Sequence, residues 1–281
     1  MRSVRELVAG LIDFAGLFPP ASLDMQAAVD RYAQHLEGPC AWALGRFVVP
    51  AGRLEEFERT RPGPWRLSAL GGEDLRAELA AIRRFNARGG AIIDTIEIQA
   101  RDPGQVRRAA GAIPGSLQRY FEIPMDGNCL EAVAAAGARA KVRTGGLSPE
   151  MFPPSVDVAG FLEACWRKGV PFKATAGLHH AVRSVHPFTY SPDSLKGLMH
   201  GFLNLFLASA FLMEGLRLEE VVEALEETAP DAFRFQDSTV TWRTHHLQAD
   251  ALRLARQSFA ICFGSCSFQE PMEEMQALGL L

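Results

Sequence analysis

Short apolar runs alternate along this chain with longer stretches whose apolar residues recur every three or four positions. That is the pattern of parallel strands, each followed by a covering helix. The strand-like runs fall at 10–14, 45–49, 65–70, 91–98, 119–123, 139–143, 171–175 and 233–240. Helical spacing is found at 24–36, 53–59, 73–87, 103–111, 128–136 and 157–168, and over 193–226, which reads as one long helix or two. Further helical stretches cover 243–260 and 270–279, and Asp24 is placed to cap the first helix.

Eight strand candidates with helices between them predict an α/β fold, a (β/α)₈ TIM barrel in a single domain over residues 1–281. A C-terminal helical extension is expected from about 243. An open doubly wound sheet is the competing architecture. Against it, no Gly-x-Gly-x-x-Gly follows the first strand, and no Gly-x-x-x-x-Gly-Lys-Ser/Thr occurs. No repeat, low-complexity segment or Gly/Pro/Ser-rich linker divides the chain.

Composition narrows the partners. With 48% hydrophobic and 22% charged residues, the 281-residue chain can bury a large core and is not disordered. A formal charge of -4 argues against a nucleic-acid partner. The N-terminus, Met-Arg-Ser-Val-Arg-Glu, lacks the features of a signal peptide. The apolar segment 198–213 holds His200 and Asn204 and reads as a buried helix, not a membrane span. It covers the barrel or forms a dimer surface, so a homo-oligomer is compatible with the sequence. Five scattered cysteines fit reduced thiols in a cytoplasmic protein. The expected partner is a small carbonyl-containing molecule, with no cofactor, nucleic acid or membrane.

In a barrel the chemistry lies at the C-terminal ends of the strands. Polar residues late in strand-like runs are Asp13, Asp94, Glu97, Glu122, Lys141, Arg143, Lys173 and Thr175, followed by His179, His180, Arg183 and His186 in a loop. Lys141-Val-Arg143-Thr-Gly-Gly and Lys173-Ala-Thr175-Ala-Gly each place a lysine inside a strand that ends at a glycine turn. Residues two apart share a face, so Lys141 pairs with Arg143 and Lys173 with Thr175. The two strands are consecutive and should be neighbours. Crowded ammonium groups would lower a lysine's proton affinity and leave an amine able to attack a carbonyl. The same cations could instead clamp a carboxylate or phosphate. The plain structural reading is that each lysine snorkels to solvent or pairs with a glutamate.

These two segments resemble the sixth and seventh strands of class I aldolases of the deoxyribose-phosphate aldolase type. The sixth strand of that family carries Lys-Thr-Ser-Thr-Gly and the seventh Lys-Ala-x-Gly-Gly; here the matching residues are Lys141, Thr144 and Gly145, then Lys173, Ala174 and Gly177. The resemblance implies that Lys141 forms the Schiff base and that Lys173 tunes it. It also implies a proton-transferring aspartate late in the fourth strand, matched by Asp94, with Glu97 as the nearby alternative. It covers about a third of the chain. Val142 and Arg143 replace small residues of the family's motif, and Leu178-His179-His180 departs from its seventh-strand pattern. The family's phosphate-gripping eighth-strand turn has no counterpart, which points to an unphosphorylated substrate or a different reaction.

The first functional expectation is therefore an aldolase-like lyase forming a Schiff base, with Lys141, Lys173, Asp94 and Asp13 catalytic. Arg143, Thr144, Thr175, Glu97, Glu122, His179, His180 and Arg183 would then contact substrate. Its rival is a divalent-metal-assisted isomerase or lyase on a small acid, with Glu97 and Glu122 joined by His179, His180 or His186 as ligands. A non-catalytic barrel binding a small anion is the third reading. Asp13, followed by Phe-Ala-Gly-Leu-Phe-Pro-Pro, fits a proton shuttle under a mouth-covering loop, or only a tight connection. Cys262 and Cys266 read as packing residues, and Gln236 or Ser238 as substrate hydrogen bonders on the eighth strand.

Overall fold

The computed structural model describes residues 1–281. Seven strands come first: β1 (Ile12–Phe14), β2 (Leu44–Pro50), β3 (Arg66–Leu70), β4 (Ile92–Gln99), β5 (Gln118–Glu122), β6 (Arg139–Arg143) and β7 (Phe172–Thr175). A hairpin of β8 (Ser184–Pro187) and β9 (Lys196–Met199) follows, then an antiparallel meander of β10 (Phe233–Phe235), β11 (Thr239–Trp242) and β12 (His245–Gln248). Last comes β13 (Ala260–Ser265). Strands β1 to β7 and β13 form a closed parallel barrel of eight strands, shut by the β13–β1 and β13–β7 pairings. This is a single-domain (β/α)₈ barrel.

Helix α1 (Arg2–Val8) precedes β1, and α2 (Met25–Glu37), α3 (Leu54–Arg59), α4 (Leu75–Ala87), α5 (Pro103–Ala112), α6 (Leu130–Ala135) and α7 (Ser155–Arg167) follow β1 to β6 in turn. After them come α8 (Phe202–Met213), α9 (Leu218–Glu226), α10 (Ala249–Ser258) and α11 (Gln269–Ala277). Three of the starts are fixed by aspartate caps. Asp24, Asp74 and Asp102 accept from the backbone N–H groups of Ala27, Ala77 and Gln105 at 2.8, 3.0 and 2.9 Å. Each satisfies a donor that the first helical turn leaves unpaired.

The eighth barrel strand differs from the expected one. Residues 233–240 are not one strand: they hold β10, a turn and the start of β11, which pair antiparallel outside the barrel. The barrel position belongs to Ala260–Ser265, so the region after 243 is not a helical extension: it holds β12, α10, a barrel strand and α11. The reason is patterning. Ala-Ile-Cys-Phe-Gly-Ser is apolar on both faces, as a strand between core and helix must be, and α10 runs straight into it. The Asp237–Ser238 turn of the meander consequently lies outside the barrel mouth.

The stretch 193–226 is also not one helix; its first part is β9, and Gly215, with φ of +97°, breaks α8 from α9. All residues of α8 from Phe202 to Leu212 are buried. Phe202 stacks on Phe263 of β13 and Phe206 packs tilted against it, while α9 and α10 also pack against α8. It is apolar on nearly every side, as a helix buried from Phe202 to Leu212 must be. No helix is long and apolar enough to cross a membrane.

Candidate functional site

Inward-facing positions of the strands bring six charged side chains into one row. Lys141 sits beside Lys173 and Arg143 beside Thr175 in the β6–β7 register, and Glu122 lies beside Lys141 across β5–β6. Lys173 Nζ donates to Asp13 Oδ2 and to Glu97 Oε1, both at 2.6 Å. The other oxygen of Glu97 lies 2.8 Å from Lys141 Nζ, which is also 2.9 Å from Glu122 Oε2. Arg143 completes the row at 3.3 Å from Glu122. The order Asp13, Lys173, Glu97, Lys141, Glu122, Arg143 alternates in sign throughout.

This corrects the expectation of two crowded amines. The lysines are strand neighbours, yet Glu97 stands between their charges with one oxygen on each. Burial opposes the charge on Lys173, but the carboxylates of Asp13 and Glu97 outweigh it and hold its ammonium form well above the ordinary lysine range. Burial likewise works against ionised Glu97 and Glu122. Lys141 and Lys173 prevail at Glu97, Lys141 and Arg143 at Glu122, and both carboxyls lie below the usual range. Remaining lone pairs are also filled. Ser68 Oγ donates to Glu97 at 2.6 Å, the Arg46 N–H to Asp13 at 2.7 Å, and the Cys262 thiol to Asp13 at 3.3 Å. Burial and the Asp13 charge push that thiol up to about 12, so it stays a neutral donor.

A pH dependence follows. Glu97 and Glu122 have lowered folded values, so their contribution is complete above the unfolded carboxylate pKa of about 4.3 and is lost as pH falls through the folded values. Lys173 has a raised folded value, so its contribution is complete below the unfolded lysine pKa of about 10.4 and is lost only at higher pH. The row's own contribution to the thermal midpoint is expected to be nearly flat from about pH 5 to 10 and to drop steeply below about pH 4. Burial opposes the charge on His179, but Cys266 and Glu270 raise it to about 9, so His179 adds stability below about pH 6.5 that is lost as pH rises through about 9. A pH series of melting curves checks this; a midpoint that rises on acidification from about pH 6.5 to about pH 4 would be the wrong sign.

Above the row lies a cavity of about 270 Å³ at the C-terminal end of the barrel. Its floor and walls include Glu97, Glu122, Lys141, Arg143, Lys173, Thr175, His179 and Cys266, under a rim of Phe18, Pro19, Pro20, Leu147 and Met151. The β6 and β7 loops meet over it at Gly145 and Gly177. A Cβ on either would come within 2.9 Å of the other's Cα, so neither tolerates a side chain. Thr144 clamps the same junction by donating to the Ala176 carbonyl at 2.8 Å, and it is fully buried without lining the cavity.

Other expected site residues lie elsewhere. Asp94 is the clearest correction. Between Leu67↔Ile93 and Ser68↔Thr95 the β3–β4 register slips by one residue, and Asp94 is the extra one. It pairs with Arg46 at 2.6 Å and with Arg66 at 2.7 Å, at the N-terminal end of the barrel. Asp13 is 1% exposed and lies beneath the cavity; its oxygens position Lys173, a backbone amide and a thiol, and it is no part of the mouth. The Phe18-Pro19-Pro20 segment lines the cavity. Arg183 turns its guanidinium to Ser155. Glu97 and Glu122 hold lysines, so the metal set imagined around them does not form.

A different donor set does. His180, His186 and Glu274 bring ligand atoms within 4.8 Å of one another. His180 Nδ1 is 2.5 Å from Glu274 Oε1, and the two imidazoles lie face to face. The other Glu274 oxygen accepts from the Ala181 N–H at 2.6 Å, which fixes the carboxylate. His180 and His186 line a recess of about 140 Å³ that shares Pro20 and His179 with the main cavity.

Sequence reasoning missed Glu274 and Glu270, both on α11, because only the closing of the barrel carries that helix to the β7 loop. It also missed Ser68 and Arg46, whose strand positions gave the signal but whose partners did not. Neither a family model nor a curated protein matches the chain. The barrel is consistent with the aldolase superfamily as a fold, and its buried charged clusters support an enzyme-like role on a small molecule.

Proposed function

We propose that the barrel is a divalent-metal-assisted lyase or isomerase acting on a small carbonyl-bearing acid. The observation that carries this reading is the convergence of His180, His186 and Glu274 beside the cavity. Two imidazoles and a carboxylate, with positions left for substrate or water, suit zinc and the neighbouring transition metals. An ion held there would polarise a substrate oxygen. Arg143, about half exposed at the cavity wall, offers a fork for a carboxylate. Lys141 and Glu122, 2.9 Å apart, form an acid–base pair able to give and take a proton at the carbon next to the carbonyl. Turnover on a panel of small hydroxy and keto acids should disappear on chelation and return with one divalent metal. Turnover that survives exhaustive chelation would remove the metal from the mechanism.

A second reading keeps Lys141 as a Schiff-base nucleophile. It is supported by the position of Lys141 in the cavity wall with a Glu122 oxygen in reach to receive its proton. Against it, the amine is engaged on both sides by carboxylates. Borohydride in the presence of the same acids would leave a covalent adduct on Lys141 under this reading and none under the first.

A further inference from the structure

Cys266 follows β13 directly and lines the cavity beside Thr175 and His179. Its sulfur is 3.9 Å from His179 Nδ1 and 4.0 Å from Nε2, and 3.8 Å from the Tyr190 hydroxyl. Glu270 lies 3.3 Å from His179 Nδ1 and accepts from Tyr190 at 3.2 Å. The thiol, imidazole, carboxylate and phenol therefore form one cluster, drawn from β13, the β7 loop, α11 and the β8–β9 hairpin. None of these groups takes part in the proton transfer or metal binding described above.

We propose that Cys266 is a nucleophile of the cavity, able to capture small carboxylic acids that carry an electrophilic carbon next to the carboxylate. The carboxylate of such a compound is drawn by Arg143 and Lys141, the cations that line the same cavity. With an aldehyde acid, the sulfur–carbon bond forms as the carbonyl π pair moves to oxygen, and that oxygen takes the thiol proton by way of His179. No oxidant or second substrate is needed. The arrangement of a thiol against an imidazole, itself oriented by a carboxylate, is the geometry that favours sulfur as a nucleophile. Cys262, four residues earlier, lacks it: its thiol donates to Asp13 and meets no imidazole. The inference does not depend on the metal.

The test uses iodoacetate and iodoacetamide on the folded full-length protein, with peptide mass spectrometry to locate each adduct. Sulfur displaces iodide in both, but only iodoacetate carries the carboxylate. Cys40, partly exposed and outside this cavity, is the internal reference. Cys266 should react with iodoacetate roughly tenfold or more faster than Cys40 does, despite its burial. Arg143→Gln should slow iodoacetate while leaving iodoacetamide nearly unchanged, and His179→Asn should slow both. A Cys266 that reacts more slowly than Cys40, or equally fast in His179→Asn, would overturn the proposal. Melting curves of each variant confirm that the comparison is between folded proteins. Loss of metal binding in a separate experiment would leave these rates untouched, so the two readings fail independently.

Discussion

Replacing Lys173 by methionine is expected to destabilise the barrel by about 3–5 kcal/mol, the typical cost of removing one partner from a buried ion pair. Methionine fills nearly the same volume, so the loss is electrostatic and not a cavity effect. Lys173 is 1% exposed, and its ammonium is the group between Asp13 and Glu97. Without it, two buried carboxylates face each other, and Asp13 keeps only a backbone amide and a thiol as donors. One of the two would have to take up a proton on folding. The midpoint should therefore fall by roughly 6–10 °C near neutral pH, by the usual conversion for a chain of this size. The deficit should shrink on acidification, because the wild type then loses the stability that its lowered Glu97 contributes at neutral pH. Thermal unfolding at two pH values checks this. An unchanged midpoint would mean that the row contributes nothing net as a set of ion pairs.

The second large effect falls on turnover instead. Lys141→Ala should reduce kcat by about 10²–10⁴, the range for loss of a positioned acid or base. Its stability cost should be smaller than that of Lys173→Met, because each neighbour keeps another partner: Glu97 retains Lys173 and Ser68, and Glu122 retains Arg143. The pair of lysines thus separates into one that holds the site together and one that works in it. Asp94→Asn is the matched control. It removes a carboxylate from the opposite end of the barrel and should leave turnover unchanged. If Lys141→Ala retained full turnover, the cavity row would be purely structural.

Much of this site was legible from period-two alternation alone. The lysines, Arg143, Thr175, Glu97 and Glu122 share inward faces because strands place alternate residues on one side, and consecutive barrel strands are neighbours. Depth along a strand was less legible. Asp94 and Glu97 are three residues apart and both read as late strand positions, but a one-residue bulge against β3 sends Asp94 to the arginines and leaves Glu97 between the lysines. Alternation also says nothing about sign compensation. The crowding argument failed because it treated two strands in isolation, whereas β4 and β5 supply the intervening carboxylates. The last barrel strand escaped because an apolar run next to a helix has no period of its own. With it went α11, and so the placement of Glu274, which reaches His180 across 94 positions of sequence.

The central claim is that these long-range partners form a metal centre beside the cavity. The most direct measurement is the metal content of untagged protein, purified without chelator, by plasma mass spectrometry, comparing wild type with His186→Ala and Glu274→Ala. The account predicts about one equivalent of a single transition metal per chain in the wild type and a large loss in both variants, as expected for a site with three protein ligands. Metal-free wild type that also fails to take up zinc, manganese or iron on titration would contradict it, as would equal occupancy in all three proteins.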